Sequence, residues 1–262
     1  RSIGSSALLL RSGFRDRLPG LGQGFTCHPA HILVAEHDHP ITNDVGHPKS
    51  YFLDRSAEEG YVLETCMYFP FVTAKNLTGL GESHARLMRV FPRLQMILVL
   101  AIDHASDGNR ITVDRRGRPV VHYKLARGTI ASLVRATRTS ARIFFAAGAL
   151  RVHAPSARPP LLEREDASRI DELVTERRFL PGTISVSAAH LMGGCGMGRD
   201  TRDSVTDSWG RVHGIPWLRV ADSSLFPDAL QINPYVTVMA LADRVAEGIR
   251  EDAGTLAAAA RG

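Results

Sequence analysis

The feature that most constrains this chain is a run of permissive backbone directly behind a histidine, His190-Leu-Met-Gly-Gly-Cys-Gly-Met-Gly198. Glycine lacks a Cβ and reaches conformations closed to other residues, so Gly193, Gly194, Gly196 and Gly198 allow a sharp turn and the approach of backbone to a planar group without side-chain interference. Two elements follow. Leu218-Arg-Val-Ala-Asp-Ser-Ser-Leu-Phe-Pro227 reads as an apolar strand ended by Asp222, and Asn233-Pro-Tyr-Val-Thr237 reads as the opening of a helix. Pro234 suits a first helical turn, where its missing N–H has no intrahelical partner, and Asn233 then stands at or near the N-cap. The glycine run is not a dinucleotide fingerprint, because position 199 is arginine and the spacing Gly-x-Gly-x-x-Gly fails from Gly194.

Each element has a plausible chemistry. Imidazole ionises near neutral pH, which suits His190 to general-base work. A helix N-terminus carries partial positive charge and free N–H groups, so the Asn233-Pro234 start can stabilise an anion. Taken singly, a histidine, a strand-end aspartate and a helix start are ordinary structural features. Their order and spacing, with His190 about 30 residues before Asp222 and Asn233 about ten beyond it, are far more specific.

Composition bounds the function classes. The 262 residues are 44% hydrophobic, enough for a sizeable core in one large or two small domains. The net charge of +5 is spread among acids rather than gathered in a basic run, which argues against a nucleic-acid partner. Cys27, Cys66 and Cys195 are odd in number and lack zinc-like spacing, which argues against a disulfide scaffold and fits a reducing, cytoplasmic setting. The histidines His28, His31, His37, His39 and His47 cluster in sequence, but no cysteine or carboxylate pattern completes a metal set, so no metal is expected. The longest apolar run, 94–102, is well short of the roughly 20 residues that span a bilayer.

Residues 2–13 read as a helix with Gly13 at its C-cap, and Pro19, Gly20, Gly22 and Gly24 as a crossing between domains. Residues 32–35 and 61–71 read as strands. Residues 110–124 read as a hairpin turning through Gly117 and Pro119, sharing an antiparallel sheet with the 94–102 strand. From 129 to 147 the period changes: Ile130, Leu133, Val134, Thr137, Ala141, Phe144 and Phe145 form one helical stripe opposite Arg135, Arg138 and Arg142. Residues 155–160 read as a loop, and 168–178 as a short charged helix capped by Ser168. The final helix, 237–250, carries Val238, Leu241, Ala242, Val245 and Ile249 on one face.

The three C-terminal elements together resemble the C-terminal region of the glucose-methanol-choline (GMC) family of flavin-dependent alcohol oxidoreductases. Gly4-Ser-Ser-Ala-Leu-Leu-Leu-Arg-Ser-Gly13 looks like that family's second signature. The Gly-Gly-Cys run and Asn-Pro-Tyr-Val-Thr are most similar to the cholesterol oxidase and long-chain alcohol oxidase branch, while Leu191, Gly194 and Gly196 depart from the commonest family residues. The resemblance implies an α+β fold: an antiparallel substrate-binding sheet with packed helices, plus the C-terminal part of a Rossmann-like FAD-binding domain. It divides the chain into 1–24, the end of an FAD-domain segment; 25–182, the substrate-binding domain; and 183–262, the return to the FAD domain. The family's dinucleotide fingerprint is then expected upstream of Arg1, in a missing N-terminal segment or a separate chain.

The same resemblance implies FAD as cofactor and oxidation of an alcohol, a hydrophobic one, by hydride transfer to the flavin. His190 would take the hydroxyl proton and Asn233 would hold the oxygen. Asp222, Ser223, Pro234, Tyr235 and Val236 would contact the cofactor. The electron acceptor, whether oxygen, a quinone or another, is left open. The alternative is a catalytically inactive fragment or scaffolding subunit, since the ADP-binding motif is not in this chain.

Overall fold

The computed structural model describes residues 2–42, 45–47, 49–66, 69–77, 79–156 and 161–259. The described chain is mixed α/β with antiparallel sheets, and it divides into two compact units.

The unit formed by Pro29–Ile102 and Leu125–Ala188 is built on a six-stranded sheet. In spatial order its strands are Phe52–Arg55, Tyr61–Thr65, Leu94–Ala101, Ala30–Glu36, Arg151–His153 and Leu162–Glu163, and every pairing is antiparallel. Ala30–Glu36 is buried along its whole length because both of its sides are covered. Side chains alternate across a strand, so Leu33 and Ala35 enter one core while Ile32 and Val34 enter another. In the first core they meet Leu133, Ala136, Ala141 and Phe144 of the helix Arg127–Ala146, together with Tyr61, Leu63 and Val99. The second core is closed by Leu77, Leu87 and Phe91. A sheet with both faces covered needs apolar residues at consecutive positions, which is why this strand reads as an unbroken apolar run.

The expected 129–147 helix is present with its stripe inward, but its arginine face is not left to water. Arg135 donates to the Glu59 carbonyl at 2.7 Å, Arg138 to the Val174 carbonyl at 2.9 Å, and Arg142 pairs with Asp171. Three expectations are corrected. The 61–71 strand stops at Thr65, and a helix, Pro70–Asn76, begins with proline in its first turn, where that residue is tolerated. The 168–178 helix is broken into a 3-10 turn, Arg164–Arg169, the short helix Ile170–Leu173 and another 3-10 turn, Glu176–Phe179. Its start is capped by Glu163 with Asp166 rather than by Ser168. The 110–124 hairpin does form, as Arg110–Val113 against Pro119–His122, but as a separate two-stranded sheet that does not join Leu94–Ala101. Of the expected 155–160 loop, residues 157–160 lie outside the described residues.

The hairpin belongs to the second unit, formed by Arg1–His28, Asp103–Lys124 and Ala189–Gly262. The chain therefore passes between units at 28/29, 102/103, 124/125 and 188/189 rather than within the Pro19–Gly24 segment. The first helix, Ser2–Arg11, ends at Gly13 in a left-handed conformation (φ 79°). It packs Leu9 and Leu10 into a core with Leu18, Leu21, Phe25, Ile111, Val212 and Val220. The C-terminal helix, Tyr235–Ala259, buries Val245 in the same core and sets Leu241 against it, while Ile249 of the expected stripe is half exposed. Among the described residues, the strand ladders of this unit are short and antiparallel. Among the described residues of the whole chain, no helix is long and apolar enough to cross a membrane.

One buried group gives the sheet unit a pH signature. His31 is buried, its Nε2 lies 3.0 Å from the Thr137 hydroxyl, and burial pulls its pKa down to about 3. Between pH 6.5 and 3 the unfolded chain takes up a proton that the folded chain refuses, so this contribution to stability is complete above 6.5 and is lost as pH falls. Urea unfolding at pH 7 and pH 5 should show the wild type losing about 2 kcal/mol more than His31→Gln. Equal losses would contradict the assignment.

Candidate active site

The site grows from a ladder of only two residue pairs. Thr26–Cys27 pairs antiparallel with Leu191–Met192, Thr26 opposite Met192 and Cys27 opposite Leu191. One further step of that register sets His28 opposite His190, and the His28 N–H donates to the His190 carbonyl at 3.3 Å. Directly opposed residues project to the same face of a ladder, and the two imidazoles accordingly meet. Their Nδ1 atoms are 3.1 Å apart and their planes are nearly perpendicular, at 89°. His28 is buried and His190 is half-buried. The remaining ring nitrogen of His28, Nε2, lies 2.6 Å from the carbonyl oxygen of Leu230.

That carbonyl belongs to the segment leading into the C-terminal helix, so His28 links the His190 strand to the approach to Asn233. The segment is itself tethered. Asp228 accepts the Ala105 N–H at 2.6 Å and the Ala229 N–H at 2.8 Å, and lies 2.8 Å from His104 Nδ1. Burial works against its ionisation, but the hydrogen bonds from Ala105 and His104 hold the Asp228 carboxyl below the usual range.

At the helix start, the Val238 N–H donates to the Pro234 carbonyl at 2.8 Å, and the helix proper begins at Tyr235. Pro234 is thus the capping residue and Asn233 precedes it, one position earlier than the sequence suggests. The N–H groups of Tyr235, Val236 and Thr237 lie ahead of this first bond, and the helix itself supplies no acceptor for them. Pro234 is buried and Asn233 half-buried, whereas Ile232, Tyr235 and Val236 present apolar surface.

The glycines do something different from what the sequence suggests. The Gly193, Cys195 and Met197 N–H groups donate to the carbonyls of Ser223, Ser224 and Leu225, so the run lies flat against the next element. Ser2 Oγ donates to the Gly193 carbonyl, and the Gly22 N–H to that of Gly194. A Cβ on Gly193 would stand 2.0 Å from the Gly24 carbonyl oxygen, and one on Gly194 2.2 Å from Ser6 Oγ. Both have positive φ, 77° and 99°. These two positions are reserved for internal backbone packing, which corrects the expectation that they clear space for a planar ligand. At Gly196 the nearest atom to an added Cβ is 3.6 Å away.

The strand expected to end at Asp222 stops at Arg219, and Asp222 instead caps the 3-10 turn Ser223–Leu225. Its Oδ1 accepts the Ser224 N–H at 2.8 Å, and its Oδ2 accepts the Ser5 hydroxyl. Asp222 and Ser223 are therefore held against the first helix and the glycine run. Burial pushes the thiols of Cys27 and Cys195 up to about 11, so both stay protonated at neutral pH and are poor nucleophiles. The histidine group finds separate hydrogen-bond partners, His31 on Thr137, His37 on Gln95 and His39 on Asp38, with the His37 and His39 rings 5.6 Å apart, and among the described residues of the group only His28 joins the site. In the sequence, His28 stands out only as one of a histidine group weighed as a metal set; its pairing with His190 comes from a register across 162 residues.

A family model described as GMC oxidoreductase matches residues 105–242. An uncharacterized GMC-type oxidoreductase of Mycobacterium tuberculosis is 31% identical over 243 residues, covering 92% of this chain and 37% of that protein. Among solved structures, a formate oxidase from Aspergillus oryzae RIB40, studied for FAD modification, aligns with a TM-score of 0.69 at 14% identity, over 97% of this chain and 54% of that one. Pyridoxine 4-oxidase from Mesorbium loti aligns with a TM-score of 0.65 at 17% identity, over 95% and 50%. At such identities the structural likeness establishes the fold alone. The chain thus spans between about a third and a half of the length of these proteins.

The packing role of Gly193 is testable in the chain itself. Gly193→Ala combines a left-handed backbone with a clash on the Gly24 carbonyl and should cost about 3 kcal/mol. Gly4→Ala, on the exposed face of the first helix with nothing near its added Cβ, should instead stabilise by about 0.5–1 kcal/mol. Chemical unfolding of both variants checks this, and a neutral Gly193→Ala would refute the packing assignment.

Proposed function

The chain belongs to the GMC oxidoreductase family, and on that footing we propose that it carries the substrate-oxidising part of an FAD-dependent alcohol oxidoreductase, with His190 as the group that takes the hydroxyl proton. The observation that carries this reading is a half-buried imidazole pinned at one ring nitrogen, in the same compact unit as the helix start at Asn233-Pro234. In this reading 29–102 and 125–188 supply the substrate-binding sheet, and the other unit is the cofactor side.

The residues present suit a flavin. Ahead of the first intrahelical bond, the N–H groups of Tyr235, Val236 and Thr237 offer donors and a partial positive charge to an anionic ring edge. Tyr235 and Val236 add exposed apolar surface for an aromatic ring system. Asp222 and Ser223, fixed on the glycine run, are the polar contacts for the remainder of the cofactor. When bound, FAD supplies the hydride acceptor at its N5.

The protein's part is proton handling and orientation. A neutral His190 accepts the hydroxyl proton as the alcohol carbon is oxidised, becoming imidazolium. Asn233, with a side-chain amide that can donate, steadies the oxygen as it gains charge. The exposed Ile232 beside Asn233 favours a hydrophobic primary or secondary alcohol, in keeping with the motif's likeness to the sterol and long-chain alcohol branch.

Two measurements test this. In the flavin-loaded enzyme, His190→Ala should slow anaerobic flavin reduction by about 10²- to 10⁴-fold and Asn233→Ala by about 10²- to 10³-fold, with flavin content unchanged. The two effects should not add, since both act on one oxygen of one transition state. His213, whose Nε2 lies 3.0 Å from Ser204 Oγ, is the control and should be nearly neutral. A near-normal rate in His190→Ala would overturn the assignment. In a dye-reduction screen, preference for glucose or choline over fatty, aromatic and sterol alcohols would overturn the substrate class.

A further inference from the structure

We infer that His28 is a positioning residue that fixes the tautomer of His190, so that His190 presents an unprotonated Nε2 to the alcohol. This rests on the reading of His190 as the base, and it follows from which atoms can donate. A carbonyl oxygen only accepts, so the 2.6 Å contact between His28 Nε2 and the Leu230 oxygen requires the proton of a neutral His28 to sit on Nε2. His28 Nδ1 is then a lone pair. The 3.1 Å contact between the two Nδ1 atoms requires one proton between them, and it must come from His190. A neutral His190 is thereby protonated on Nδ1 and bare on Nε2, a tautomer assigned from the network of acceptors.

The balance holds through the reaction. When His190 Nε2 receives the hydroxyl proton, Nδ1 keeps its own and continues to donate to His28. The imidazolium charge is stabilised by that bond, and no proton need leave toward His28, whose Nε2–H remains committed to Leu230. The backbone supports the arrangement at both ends. The His28 N–H bonds the His190 carbonyl, and Asp228 pins the turn that carries Leu230. The perpendicular ring planes fit an in-plane N–H of one ring directed at an in-plane lone pair of the other.

The alternative tautomer, with the proton on Nε2, would leave His190 unable to accept a proton where it is needed. Substituting His28 therefore acts on the population of reactive base rather than on the number of catalytic groups. His28→Leu removes both hydrogen bonds. His28→Asn places an amide oxygen near the position of Nδ1 and restores an acceptor for the His190 Nδ1–H, while giving up the reach to Leu230. His28→Gln does the reverse, because its longer amide reaches toward Leu230.

The experiment uses the flavin-loaded enzyme with ¹⁵N-labelled histidine. Two-bond ¹H–¹⁵N spectra should show His190, identified by its loss in His190→Ala, as the Nδ1–H form in the wild type and in His28→Asn, and shifted toward Nε2–H in His28→Leu and His28→Gln. Anaerobic flavin reduction should fall on the order of 10²-fold in His28→Leu and in His28→Gln and be largely restored in His28→Asn. An Nε2–H tautomer in the wild type, or an unchanged Nδ1–H tautomer and rate in His28→Leu, would overturn the inference. Loss of rate in His28→Asn equal to that in His28→Leu would also overturn it, by pointing to a packing role. Because the tautomer is read without turnover, failure of His190 as the base appears separately, as a near-normal rate in His190→Ala.

Discussion

Everything in the proposed site depends on two residues pairing with two others: Thr26–Cys27 against Leu191–Met192. This ladder is too short to be stable alone. It is held by what surrounds it, with Phe25 and Cys195 in the core of the unit, the Thr26 hydroxyl donating to the Asp103 carbonyl, and the Tyr123 hydroxyl donating to Asp103. In an antiparallel ladder a slip of one residue turns every side chain to the other face. Register therefore decides whether His190 meets His28.

The glycine run is best understood as part of that positioning. Gly193 and Gly194 let the chain lie against the first helix and the Gly22–Gly24 turn at distances no side chain would allow, and the carbonyls of 223–225 take up the N–H groups that follow. The result is a stiff bed of backbone hydrogen bonds beneath His190. Burial of Cys27 and Cys195 keeps their thiols protonated at neutral pH.

Much of this was legible in sequence, for physical reasons. The stripe through Leu133, Ala141 and Phe144 has helical period and emerged as a helix, and the unbroken apolar run at 32–35 emerged as a strand covered on both faces. Elements set by long-range contact were not legible. The hairpin at 110–122 looks local and is local, yet which sheet or unit it joins depends on contacts to residues near Gly22. Likewise, Asp222 reads as the end of a strand because Val220 and Ala221 are apolar, but its carboxylate finds a backbone N–H two residues on and caps a turn instead. In the site, His190 and Asn233 could be picked out because they sit in local motifs. The pairing of His28 with His190 could not, because it is set by a register rather than by sequence neighbours.

In the proposed reaction one ionisable imidazole on this chain, that of His190, controls proton removal. The pH dependence of anaerobic flavin reduction in the flavin-loaded enzyme, measured with a saturating alcohol and with the same alcohol deuterated at the reacting carbon, tests it most directly. The rate should rise with pH as a single group loses its proton and then level off, with the deuterium effect present across the plateau, and that ionisation should vanish in His190→Ala. A rate independent of pH in the wild type, or the same ionisation persisting in the variant, would contradict it.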